Sequence, residues 1–180
     1  MAHITTSVEY GIHGLLWLVD NDGRALSSRE IAELQGVSPS FLAKIFPKLE
    51  KAGIVMASEG VRGGYRLAMP ANEISFLEIV DAIEGEKPLF DCQNVRERCA
   101  LFSKGAPAWA TDGHCAIHAV MLQAEKAMRE ALASHTLGDA FKRFSRKVPD
   151  SFNDELSRWL GERTASRTAR VGKPARDAPT

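Results

Sequence analysis

The chain has 180 residues, 44% of them apolar and 26% charged, with 23 basic and 23 acidic side chains. This balance excludes a wholly disordered chain and predicts one globular core with small appendages. No run approaches the roughly 18 to 20 uninterrupted apolar residues of a membrane span, and Met1-Ala2-His3-Ile4-Thr5 lacks the regions of a signal peptide, so a cytoplasmic protein with no membrane partner is expected.

In chain order, Val8, Ile12, Leu15, Leu16 and Val19 recur at helical spacing and predict a first helix from Thr6 to about Val19, stopped by Asp20-Asn21-Asp22-Gly23. Ser27-Ser28-Arg29-Glu30 is a capping box that opens a short second helix ending at Gly36. Ser38-Pro39 opens a third, in which Phe41, Leu42, Ile45, Leu49 and Ala52 repeat up to Gly53. Pro47 lies inside it and predicts a kink or an early stop near Phe46, at a cost of about 3 kcal/mol. Two short helices joined through Gly36-Val37-Ser38 have helix-turn-helix spacing. Residues 54–58 and 65–68 read as strands joined by a glycine-rich turn, a hairpin or wing. Ser75-Phe76-Leu77-Glu78 then opens another helix to Gly85.

Four segments follow from this pass. Residues 1–85 read as a winged helix-turn-helix with a two-stranded wing, in a mainly α chain; an αα-hairpin followed by an ordinary β-hairpin would carry the same local signals. Residues 86–113 lose periodicity and read as a long loop. A strong helix is predicted from about His114 to Ala133, with Ile117, Met121, Ala124, Met128, Ala131 and Leu132 in an apolar stripe, followed by shorter helical runs to residue 160. Residues 161–180 hold one Val as their only large apolar residue and carry a charge of +3, which predicts a disordered basic tail.

Helix-turn-helix plus wing points to duplex DNA as partner. Base contacts are expected from Ser38, Ser40, Phe41 and Lys44 at the start of the third helix, while Lys48 is expected to meet phosphate or water and Ser28 is a further DNA-binding candidate. Arg62 and Arg66 stand at the wing, where little bulk impedes approach to phosphate or a minor groove.

Cys92, Cys99 and Cys115 are odd in number, and their spacing of six and fifteen intervening residues is neither a zinc pair nor a haem motif. Two lie in the loop and the third opens a helix, where the dipole favours thiolate, so a metal, cofactor or redox role competes with a simple buried one. Glu9 and His13 are one helical turn apart and project from one face, as a ligand pair or as an ordinary exposed pair. His118 follows Cys115 by three residues and is a further candidate ligand.

Val8-Glu9-Tyr10-Gly11-Ile12-His13, Ile31-Ala32 to Gly36-Val37-Ser38, Leu49-Ala52-Gly53-Ile54-Val55, Arg62-Gly63-Gly64-Tyr65-Arg66-Leu67 and Ile79-Val80-Ala82-Ile83-Glu84-Gly85 resemble the Rrf-type winged-helix regulators over about residues 1–140. The resemblance implies a homodimer joined through the long helix, palindromic operators and an iron–sulfur cluster that reports redox state, nitric oxide or cluster supply, as in the IscR-, NsrR- and RsrR-like members. It leaves open whether the chain is an activator or a repressor. It implies three ligand sets. The IscR-like set falls on Cys92, Cys99, Cys115 and His118, and the NsrR-like set on the three cysteines with Glu9. The RsrR-like set falls on Glu9, His13, Cys92 and Cys115.

The gap between Cys99 and Cys115 is longer than the family's usual half dozen residues, so the last set, holding a [2Fe–2S] cluster across the dimer, is the expectation, with [4Fe–4S] as the alternative. Ala43 stands where IscR-like members carry a recognition-helix glutamate. A winged-helix regulator without a cluster, controlled by a small molecule or protein partner, is the competing reading. An enzyme is not expected, since CxxC, paired-base and phosphate-loop motifs are all missing.

Overall fold

The computed structural model describes residues 4–21, 23–58, 60, 63–113 and 115–171, with backbone alone over 164–171. Its helices are α1 (Thr6–Leu16), α2 (Ser28–Gln35), α3 (Pro39–Lys51), α4 (Phe76–Glu84), α5 (Ala108–Thr111), α6 (Ala116–Ala133), α7 (Leu137–Ser145) and α8 (Asp150–Val171). One antiparallel hairpin joins β1 (Val55–Ser58) to β2 (Gly64–Leu67), in a register that pairs Val55 with Leu67 and Ser58 with Gly64. The architecture is mainly α with a two-stranded wing and a long helix after it, as the sequence predicts.

Caps decide the starts. Ser27 and Glu30 satisfy each other's backbone amides at 3.2 and 2.8 Å, and Ser75 with Glu78 repeats the arrangement before α4. Thr136 and Asp139 form a third box before α7, and these hydrogen bonds hold the Asp139 carboxyl below its ordinary range. Gly36 ends α2 with a φ of 66°, the left-handed cap that glycine takes without strain.

α1 ends at Leu16 rather than Val19, because the chain tightens into turns through Leu18 and Val19 and Asp20 adopts a φ of 51°. Pro47 neither stops nor splits α3. The carbonyl it leaves without an amide belongs to Ala43, and both residues lie on the exposed face, so the missing bond is not a buried one. Phe46 and Leu49, fully buried on the other face, hold the helix in place.

Val8 and Leu15 of α1, Ile31 of α2, Leu42, Phe46 and Leu49 of α3, Ile79 and Ile83 of α4, and Leu137 of α7 form one buried core. The wing is anchored to it twice. Leu26, just before α2, exchanges both backbone hydrogen bonds with Tyr65 at 3.0 and 2.8 Å, and the Tyr65 ring lies 4.8 Å from that of Phe46. Burial, with the Glu50 carboxylate nearby, pushes the Tyr65 hydroxyl above its ordinary pKa. Two polar links then tie the later helices to this unit. Lys48 Nζ donates to the Ile83 carbonyl at 2.6 Å in the last turn of α4, and the Arg129 guanidinium of α6 grips both oxygens of Asp81 at 3.1 and 2.8 Å.

The stretch 86–113 is less irregular than its sequence suggests. It contains a 3-10 turn at Val95–Arg98 and the short α5, and Arg96 of that turn donates to the Thr111 and Gly113 carbonyls at 3.0 and 2.5 Å.

The expected disordered tail from residue 161 needs correction. α8 continues past Gly161 to Val171, because Leu160 is buried in the core, Leu156 and Trp159 pack against it, and Arg163 reaches Glu33 of α2 at 2.9 Å. The Arg163 guanidinium also sits 4.8 Å from the centre of the Trp159 ring. Tertiary contacts supply the ordering that composition alone does not. Residues 172–180 lie outside the described residues.

Candidate nucleic-acid interface and cysteine loop

The first turns of α3 present Ser38, Ser40, Phe41 and Lys44 to solvent, as their spacing predicts, while Leu42 and Ile45 face the core. The two serine hydroxyls lie 2.9 Å apart. Phe41 is 50% exposed and meets Tyr10 edge to face at 5.8 Å, so a large apolar ring is held still on the open face of the helix. Ser28 stands half-buried in the first turn of α2. Arg66 is exposed on β2, its Nε 3.1 Å from the Met56 sulfur. Lys48 turns to α4 instead of standing beside Lys44. Arg62 lies outside the described residues.

A second surface was only partly legible. The predicted apolar stripe of α6 divides in two: Met121, Met128 and Leu132 are half-buried on the side that carries Arg129 to α4, whereas Ile117 and Val120 are each 63% exposed. Ile117, Val120, Ala124, Ala127 and Ala131 are all exposed and alternate at three- and four-residue steps, the period of a helix that pairs with another helix. Val120 stands outside the stripe predicted from sequence, though its three-residue step from Ile117 is the signal that finds it.

The cysteines do not form a centre. Cys92 is half-buried in the irregular chain before the 3-10 turn, Cys99 is exposed at the end of that turn, and Cys115 caps the start of α6. His118 packs its ring 6.0 Å from Phe90. Glu9 and His13 are exposed on α1, a helix that packs against α2, α3, α4 and α7.

Backbone amides of His118 and Ile117 reach the Cys115 sulfur and lower its pKa. Cys115 is therefore expected to react with iodoacetamide along a pH profile whose midpoint lies below the ordinary thiol value, read by peptide mass mapping. A midpoint at or above that value would contradict the geometry.

α-Helices arranged as α2-turn-α3, followed by a hairpin that docks on them, define the winged helix-turn-helix class. The chain belongs to the Rrf2 family of transcriptional regulators: residues 4–143 match the family model described as an iron-dependent transcriptional regulator. Protein aau3 of Rhizobium meliloti (strain 1021) is 30% identical over 140 residues, which is 77% of this chain and 84% of that protein. The structure of IscR from T. potens is similar with a TM-score of 0.60 at 26% identity, covering 82% of this chain and 92% of the other. The global cysteine regulator CymR of B. subtilis, at 23% identity and a TM-score of 0.60 over 79% of this chain and 98% of its own, shares the fold. Among the described residues, no helix is long and apolar enough to cross a membrane.

Both the family description and the resemblance point to iron, and the described residues do not fit it. Among the described residues no three His, Cys, Asp or Glu side chains come together to hold a metal ion. The expected [2Fe–2S] cluster on Glu9, His13, Cys92 and Cys115, the [4Fe–4S] alternative, and the sets drawing on Cys99 or His118 are therefore corrected. The physical reason is placement. The cysteines sit on three separate pieces of the loop and the start of α6, and α1 carries the Glu9–His13 pair on a helix packed among α2, α3, α4 and α7.

Proposed function

We propose that this chain is a homodimeric, DNA-binding transcriptional regulator that works without an iron–sulfur cluster, its affinity for a palindromic operator being set by a small molecule or protein partner. The observation that carries this reading is the open face of α3, where Ser38, Ser40, Phe41 and Lys44 project from a helix whose other face is locked into the core beside a docked wing. In this reading α3 enters the major groove and its first turns meet base edges. Ser28, in the first turn of α2, and Arg66, on the wing, serve phosphates. Ile117, Val120 and the alanines of α6 pair with the same face of a second copy, the small residues allowing close approach of the two helices.

The test is selection from random-sequence duplexes followed by gel shift. Enriched inverted repeats, a Lys44→Ala variant about tenfold weaker at fixed salt, and a dimer in light scattering are expected. Affinity should stay the same after anaerobic treatment with iron and sulfide. Enrichment of no sequence would overturn the DNA reading, and an affinity that follows cluster loading would overturn the cluster-free one.

A further inference from the structure

α8 lies beyond residue 143, where the family match ends, yet it closes a cavity against the family core. The cavity measures about 330 Å³, within the range of small-molecule sites. It lies between the end of α1, the turn after it, α7 and α8. Its lining is divided by chemistry. Trp17, Phe141, Phe144 and Phe152 bring four rings to it, and the turn after α1 brings Asp20 and Arg24, the one acid and the one base among the described residues of the lining. Two of the rings, Phe144 and Phe152, remain 43% and 36% exposed, and the Phe152 ring lies 6.3 Å from that of Trp17, tilted by 32°.

We infer that this cavity is an effector site for a free α-amino acid with a large apolar side chain. The charges decide the class. Arg24 matches a carboxylate, but a simple organic acid there also meets Asp20, and a simple amine meets Arg24. A zwitterion carries the charges complementary to both on one carbon atom, and its side chain would cover rings that otherwise face water. Occupancy reaches the DNA-reading unit through α8, which forms one wall and further on joins Glu33 of α2 through Arg163. This inference rests on the reading of the chain as a DNA-binding regulator controlled by a small molecule.

Titration calorimetry on the full chain tests it with four probes: L-phenylalanine, L-leucine, 3-phenylpropionate and phenethylamine. One L-amino acid per chain is expected to bind, and the deaminated and decarboxylated analogues at least about tenfold more weakly. Arg24→Ala and Asp20→Asn, both at exposed positions, should each weaken L-phenylalanine by about tenfold while melting as the parent does. Binding of all four probes alike, of none, or of L-phenylalanine equally by the two variants would overturn the assignment. Gel shift on a selected duplex, with and without L-phenylalanine, then separates the two claims. An affinity altered several-fold supports the effector role, and an unaltered one overturns it while leaving DNA binding intact. Absence of duplex binding in either state overturns the DNA reading, and leaves calorimetry to judge the site by itself.

Discussion

Replacing Gly64 with alanine is expected to destabilise the protein by about 2 to 3 kcal/mol and to abolish operator binding. A methyl group at that position would stand 2.5 Å from the Leu26 carbonyl carbon, 2.6 Å from its oxygen and 2.7 Å from the Ser27 nitrogen. All three are backbone atoms, so no side-chain rotation relieves the clash. The strand must move off Leu26, breaking the paired hydrogen bonds that hold the wing to the start of α2 and drawing the Tyr65 ring from Phe46. Urea unfolding followed by circular dichroism reads the stability, and gel shift reads the wing. Gly161→Ala is the matched control: it lies inside α8 with open space around it, so a gain of up to about 1 kcal/mol is expected there. Equal stability of the two variants would contradict the close packing at Leu26.

Phe46→Ala is expected to cost more, about 3 to 5 kcal/mol. Phe46 is fully buried and is the largest such side chain described. Its ring fills the space that Gly14 of α1 leaves open, where a Cβ would come within 3.2 Å of it, and on another side it meets Tyr65. Truncation therefore removes the piece common to α1, α3 and the wing, and none of those backbones can close the void without losing its own contacts. Phe46→Leu keeps most of the volume and should cost less than half as much. Denaturant midpoints of the two variants check this, and near-equal midpoints would place the ring outside the load of the core.

The helix starts were legible because their determinants are local. Ser27 with Glu30 and Ser75 with Glu78 lie within four residues of each other, and the structure closes both boxes. The wing was legible for the same reason, since its turn and alternation are contiguous. What escaped depended on distant partners. Pro47 reads as disruptive in sequence, but the face it occupies is exposed. The end of α8 looked disordered by composition, but Leu160 finds the core and Arg163 finds Glu33, which no local window reveals.

The candidate site divides along the same line. Ser38, Ser40, Phe41 and Lys44 followed from one helix's periodicity, whereas Lys48, expected at phosphate or water, also donates to the Ile83 carbonyl 35 residues away, a partner no local window reveals. The ligand set failed because spacing along the chain says nothing of whether Glu9, His13 and the cysteines meet in space. The division of α6 into a face for α4 and an open face needed the position of Asp81.

The bond from Lys48 to Ile83 bears on how far apart two recognition helices stand. Lys48 lies one turn beyond Lys44 on α3, and its ammonium rests on the carbonyl end of α4, where helix partial charge is negative. Two residues from Ile83, Asp81 in turn holds Arg129 of α6. The reading head, the strut and the pairing helix are thus keyed to one another like parts of a caliper. In a dimer paired through α6, the jaw opening is a built-in length, and the number of base pairs between operator half-sites becomes a property of these two polar joints as much as of the residues that touch DNA.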